Sequence, residues 1–226
     1  MKRPPVAVIG MHRSGTSCLA GCLEDLGLSL GNVITEAPHN KKGNRENPRF
    51  WPVHDAVLAR VGSAWDNPPL EPVAWTADER AALKAVLADY DVLPEPWGFK
   101  DPRATVLLDG WFEVLPELQL VASIRHPLAV AGSLAARNGY EVARSLDIWA
   151  GYNCALLRWR ELIPFAVIDY DALDYEARVR RAAAKLGLDA DRPMSFREDQ
   201  LNHQRSDDEV PAESRDLWAR LQVLAS

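Results

Sequence analysis

The chain has little with which to cross-link itself, cross a membrane or grip nucleic acid. Three cysteines in 226 residues cannot form a disulfide framework. Cys18 and Cys22 lie one helical turn apart and read, like Cys154, as small buried helix residues. No apolar run is long enough for a membrane span, and the run after Met1–Pro5 is too short for a signal peptide. A cytoplasmic setting is therefore expected. The net charge of −6 argues against general nucleic-acid binding, and it requires any anion pocket to be basic against an acidic background. No His/Cys/Asp cluster has metal-ligand spacing, so no metal is expected. Internal repeats and low-complexity segments are absent too. What is left is an ordinary globular composition, 47% hydrophobic and 26% charged, with a length that predicts one domain over residues 1–226.

The most informative absence is a single lysine. Residues 6–17 read Val-Ala-Val-Ile-Gly-Met-His-Arg-Ser-Gly-Thr-Ser. Val6–Ile9 is an apolar run suited to a buried strand. Gly10 and Gly15 have the spacing of a G-x-x-x-x-G-K-[ST] phosphate loop, but Thr16 stands where the lysine belongs. Backbone N–H groups of such a loop, and the start of the helix after Gly15, converge on an anion. The lysine that reaches the β- and γ-phosphates in an ordinary ATPase is missing. Arg13 supplies a planar, permanent cation instead.

Strands alternate with helices along the chain. Helices are expected at Gly15–Leu28, Phe50–Val61, Thr76 to Tyr90, through Trp111, around Ser133, at Glu141–Leu162 and from Tyr170 to Gly187. Thr76 and Glu79 form a capping box. Strands are expected at Val6–Ile9, near Lys100, at Gln119–Ile124 and at Phe165–Ile168, with polar or proline-bearing connections at 31–50 and 62–75. This order predicts an α/β fold of three layers, α/β/α, with a central parallel sheet. Ligands of such sheets bind beyond the carboxyl ends of the strands. The loop after Val6–Ile9 and the Arg125-His126-Pro127 segment after Gln119–Ile124 both lie there.

These motifs resemble those of the sulfotransferases that use 3′-phosphoadenosine 5′-phosphosulfate (PAPS), whose fold is similar to that of the P-loop NTPases. The Arg13-Ser14-Gly15-Thr16 core resembles their 5′-phosphosulfate loop. Arg125-x-Pro127, with Ser133 eight residues after Arg125 and Arg137 four further on, is similar to their 3′-phosphate segment. Trp97-Gly98-Phe99-Lys100-Asp101-Pro102-Arg103 resembles the lysine-bearing segment of tyrosylprotein sulfotransferases. The resemblance implies transfer of a sulfonyl group from PAPS to a hydroxyl or amine of a small molecule or glycan, releasing adenosine 3′,5′-bisphosphate. It implies nucleotide binding by His12, Arg13, Ser14, Gly15, Thr16, Ser17, Arg125, Ser133 and Arg137. Arg13 and Lys100 then assist the leaving phosphate. For the general base, Glu46 in Gly43-Asn44-Arg45-Glu46 is preferred, with Asp101, Glu36 and His12 behind it. His12 is also placed to donate to the sulfonate.

Eight tryptophans are many for this length. Trp65 and Trp75 are candidates to stack on an acceptor, or else to plug the edge of the core. The glycine-rich, lysine-bearing closing motif of cytosolic sulfotransferases is missing, and Arg197, His203 or Arg205 are its possible substitutes. Two other readings stay open. A P-loop small-molecule kinase would use Arg13 for the phosphates and Asp169 at a strand end for magnesium. A non-catalytic nucleotide-binding module would need no Lys100.

Overall fold

The computed structural model describes residues 3–38, 42–197 and 208–225. Four parallel strands form its sheet: β1 (Val6–Ile9), β2 (Gly98–Lys100), β3 (Gln119–Ile124) and β4 (Ala166–Asp169). They lie in the order β2-β1-β3-β4. Val8 faces Lys100 in one neighbour and Val121 in the other, and Ile124 faces Asp169. The loop after β1 therefore sits at the middle of the carboxyl edge, between the ends of β2 and β3.

All of β1 is buried, and period-two alternation divides it between two cores. Val6 and Val8 pack with Val121 and Ile168 against α1 (Thr16–Asp25) and α7 (Tyr175–Lys185). Ala7 and Ile9 face the opposite side with Leu120, Ala122 and Ile124. That side is covered by α2 (Phe50–Arg60), α3 (Ala77–Leu87), α4 (Leu108–Val114), α5 (Pro127–Asn138), α6 (Val142–Leu162) and α8 (Ala212–Ala225). The expected three-layer α/β/α arrangement with a parallel sheet is what the chain adopts. A strand buried on both faces needs apolar residues throughout, and Val-Ala-Val-Ile supplies them.

Local signals hold at several boundaries. Thr76 Oγ1 accepts from the Glu79 N–H at 3.2 Å, and Glu79 accepts from the Thr76 N–H at 2.7 Å, closing the capping box of α3. Pro127 opens α5, where its missing N–H costs nothing. The last two helices differ from expectation. The helix expected from Tyr170 starts only at Tyr175, because the Asp169 carboxylate takes the Asp171 N–H at 3.0 Å and holds a turn there. Helix α8 was not expected at all; Trp218 and Leu221 bury it against α6 and β4. The helix expected at Gly15–Leu28 is shorter, ending at Asp25 ahead of Gly27, which has φ +104°.

Candidate active site

The loop of residues 10–17 is shaped by close approach. Gly10 has φ +124°, and a Cβ there would lie 2.2 Å from the Ser123 carbonyl oxygen of β3. Its N–H donates to Thr105 Oγ1 at 2.8 Å. The Ser123 hydroxyl donates to the Ser14 carbonyl. Arg13, not a glycine, takes φ +66°, a conformation that side chains rarely adopt and that concentrates at ligand sites. Gly15 caps α1 with φ +84°, and a Cβ there would collide with the Tyr170 ring. The loop is thus clamped between β3, Thr105 and Tyr170, with its helix start aimed at the sheet edge.

One flank of the loop is rich in arginine. Arg13 Nε donates to Ser133 Oγ at 2.7 Å. Arg125 Nε pairs with Asp171 at 3.1 Å, its Nη1 donates to the Arg13 carbonyl at 3.3 Å, and its guanidinium lies 4.8 Å from the Tyr170 ring centre. Arg137, one turn beyond Ser133, stands 5.2 Å from the Trp65 ring centre. Burial, with Arg137 and Arg125 alongside, pushes the Arg13 guanidinium below its ordinary pKa. A bound anion would relieve that crowding of like charge. The two segments that the sequence separates by more than a hundred residues therefore meet side chain to side chain.

The opposite flank holds Lys100. Strand alternation turns Phe99 into the core, stacked on Trp111 at 3.9 Å, and sends Lys100 the other way. Lys100 Nζ donates to Glu46 Oε1 at 2.6 Å, the Asn44 carbonyl at 3.0 Å and Ser17 Oγ at 3.3 Å. Ser17 in turn donates to the Asn44 carbonyl at 3.0 Å. The other Glu46 oxygen accepts from the Trp51 indole at 2.8 Å. Lys100 and Glu46 are both buried, so the ion pair is strong and poorly screened.

Among the remaining base candidates, Asp101 is fully buried. Its Oδ1 accepts from the Arg103 N–H at 2.9 Å, and its Oδ2 meets His54 Nδ1 at 3.0 Å. Trp111 Nε1 donates to His54 Nε2 at 3.0 Å. An indole only donates, so Nε2 is the acceptor and Nδ1 carries the proton toward Asp101. Burial alone would raise Asp101, but His54 and Arg103 hold it well below the usual carboxylate range. This chain of contacts anchors the segment after Lys100 in the core and leaves Asp101 remote from solvent. Glu36 is exposed on its loop. His12 is buried in the loop itself, with Trp65 and Tyr152 edge-on at 5.0 and 5.7 Å.

Two hydroxyl-bearing loop residues, Ser14 and Thr16, are also buried, and Ser14 Oγ meets no hydrogen-bond partner among the described residues. Trp75 is a core residue packed on Gly110, not a stacking platform. Trp65 is half-buried and already flanked by His12, Tyr140 and Arg137. Asp169, which the kinase reading would assign to magnesium, is committed to the Asp171 N–H, and burial raises its carboxyl above the usual range. Arg197 lies over Tyr175 at 4.2 Å and Tyr170 at 5.6 Å, next to the ring that carries Arg125. His203 and Arg205 lie outside the described residues. The residues that sequence reasoning missed are partners: Asp171, Trp51, His54, Asn44 and Tyr170. Each is recruited across the fold or offers a commonplace side chain, so no local pattern marks it.

No protein-family model matches the sequence, and no curated protein matches it. Similarity appears in solved structures. The sulfotransferase from Alicyclobacillus acidocaldarius aligns with a TM-score of 0.60 at 16% identity, covering 100% of this chain and 96% of that one. The sulfotransferase domain from the curacin biosynthetic pathway gives 0.58 at 13% identity, covering 98% and 99%. The sulfotransferase domain of the Synechococcus PCC 7002 olefin synthase gives 0.56 at 16% identity, covering 100% and 96%. With its parallel four-stranded sheet and a glycine loop at the central carboxyl edge, the chain has the sulfotransferase fold.

Proposed function

We propose that this protein is a cytoplasmic sulfotransferase that moves a sulfonyl group from PAPS to a hydroxyl or amine of a small-molecule or glycan acceptor and releases adenosine 3′,5′-bisphosphate. The observation that carries the reading is the convergence of Arg13, Ser133 and Arg125 on one flank of the loop and Lys100 on the other. PAPS presents two phosphate-bearing groups, and each flank offers fixed cations for one. The Ser14 hydroxyl, without a hydrogen-bond partner among the described residues, fits a loop built to meet further acceptor oxygens.

The chemistry asked of these residues is positional and electrostatic. The loop N–H groups and α1 hold the 5′-phosphosulfate, while Arg125, Ser133 and Arg137 hold the 3′-phosphate. As the acceptor attacks sulfur, charge develops on the bridging phosphate oxygen. Arg13 and Lys100 are the cations for that oxygen, Lys100 by exchanging its contact with Ser17 or Asn44 for it, and they stabilise the developing charge. Glu46 holds Lys100 in place through a buried ion pair. No step of this scheme calls on a metal.

Calorimetric titration with adenosine 3′,5′-bisphosphate, beside ATP with magnesium, tests the reading. Tight binding of the bisphosphate and weak binding of ATP are expected. The opposite preference would reject the reading in favour of a kinase. Tight bisphosphate binding without transfer from PAPS to any acceptor would leave a nucleotide-binding module.

A further inference from the structure

The donor-binding residues leave one chemical task unassigned, the removal of the acceptor's proton. Four side chains were candidates in the sequence, and three of them are spent or misplaced. Glu46 has one oxygen on Lys100 and the other on Trp51. Asp101 is closed inside the core on His54 and Arg103. Glu36 is exposed on a loop. His12 differs from all three. It is 8% exposed, lies inside the phosphate loop beside Arg13, and its Nε2 meets no hydrogen-bond partner among the described residues. A buried ring nitrogen left unsatisfied calls for a ligand or a catalytic role.

We propose that the His12 imidazole is the proton acceptor of the transfer, an inference that rests on the sulfotransferase reading above. The acceptor oxygen forms a bond to sulfur as the bond from sulfur to the bridging phosphate oxygen breaks. The electron pair of the broken bond stays on the bisphosphate, and the acceptor's proton passes to the imidazole, whose residue keeps a small exposed edge. The imidazolium then returns that proton to solvent when products leave. Trp65 and Tyr152, edge-on to the ring, fix its plane.

The surroundings suit this role. Arg103 from the turn after β2, Lys100 from β2 and Arg137 from α5 act on His12 electrostatically, and Asp101 opposes them. Tyr152 of α6 is the other titratable neighbour. Burial, then Arg103 and Lys100, hold the imidazole well below its ordinary pKa of 6.5, so it is neutral and ready to accept a proton. PAPS brings several negative charges against the same cations. Its binding raises the pKa of His12 and makes it a stronger base only when the donor is present. Base strength is thereby tied to donor occupancy.

The test uses the full chain in single turnover with PAPS, following bisphosphate release with 4-nitrophenol or water as the nucleophile. His12→Gln should retain bisphosphate affinity by calorimetry and lose turnover by roughly 10²- to 10⁴-fold. Added imidazole should restore part of the activity of His12→Ala. In the wild type, activity should fall on the acid side, with the limb at higher pH in kcat than in kcat/KM, because the first reports the donor-bound enzyme. That limb should vanish in His12→Gln. Wild-type turnover by His12→Gln, or loss of bisphosphate affinity matching the loss of turnover, would overturn the assignment. So would a limb that survives in His12→Gln and disappears in Glu46→Gln. Bisphosphate binding by the wild type with no PAPS turnover at all would overturn it as well. Failure of the wild type to bind bisphosphate would instead strike the sulfotransferase reading itself.

Discussion

The two flanks of the loop solve the problem of a charged site differently. On the β2 side, Lys100 is matched by Glu46 in a buried ion pair, with Ser17 and Asn44 also accepting from the ammonium. On the β3 side, Arg125 pairs with Asp171, and Arg125 and Arg137 press on the neighbouring Arg13. A neutralised pair is stable without ligand, and its cation is held at a defined point. Arginines set close together repel one another, and an anion between them relieves that repulsion. The difference assigns geometry to the first flank and affinity to the second, within a chain that is acidic overall.

The largest expected effect breaks the first flank. Lys100→Ala should lower transfer by about 10²-fold or more while leaving bisphosphate affinity nearly intact, since the lost donor serves charge that develops only in the transition state. Near-normal turnover in a PAPS assay would remove Lys100 from the mechanism. The same change leaves Glu46 buried with the Trp51 indole and, at 3.9 Å, Arg103 as its partners among the described residues. Stripping one partner from a buried pair costs about 3 kcal/mol or more, so a lowered Tm should accompany the lost activity.

Breaking the second flank should show in affinity first. Arg125→Ala should weaken bisphosphate binding by roughly thirtyfold, corresponding to about 2 kcal/mol for a lost charge contact. Adenosine 5′-phosphosulfate, which has no 3′-phosphate, should lose much less. Calorimetry on both nucleotides separates the outcomes. Equal losses would show Arg125 acting through the Arg13 carbonyl that it holds, which would make it a support of the loop.

What the sequence discloses follows the same division. Val6–Ile9, the Thr76–Glu79 box and Pro127 are local devices, and each sits where its residues predict. The glycine spacing and Arg13 mark the loop for a similar reason: tight turns with positive φ demand particular residues at particular places. Partnership across the fold leaves no such trace. Glu46 is legible as an acid near the site, but its commitment to Lys100 depends on folding the 42–46 loop against a strand 54 residues on. Asp101 reads as a candidate base because it follows Lys100. Only tertiary packing sets it against His54 and Trp111. Helix α8 does carry a local signal, Leu217, Trp218, Leu221 and Leu224 at helical spacing, which the charged segment before it obscures; packing against β4 and α6 then fixes its place.

A smaller effect is expected where the flanks meet. Gly15 combines φ +84° with a Cβ position 2.2 Å from the Tyr170 ring. Gly15→Ala forces an L side chain into the left-handed region, at about 1–2 kcal/mol, and also displaces Tyr170, over which Arg125 lies. Thermal unfolding should show a Tm lowered by roughly 4 °C, with weakened bisphosphate binding. Wild-type affinity in a destabilised variant would mean that Tyr170 moves without taking Arg125 along.

The smallest effect serves as the control for all the others. Thr76 caps α3, a helix that carries none of the residues of either flank. Thr76→Ala removes the Oγ1 acceptor of the Glu79 N–H and should cost about 1 kcal/mol, a Tm shift of a few degrees, with no change in bisphosphate affinity or turnover. The box is also pH-dependent. Its hydrogen bond with Arg60, more than the slight burial that opposes it, holds Glu79 below the usual carboxylate range. A carboxyl lowered on folding stabilises above its unfolded pKa, and the contribution is lost as pH falls through the folded value. The Tm difference between wild type and Glu79→Gln should therefore shrink on acidification. If Thr76→Ala lowered turnover as Lys100→Ala does, loss of activity in this protein would report stability in general, and the division of labour between the two flanks would lose its kinetic support.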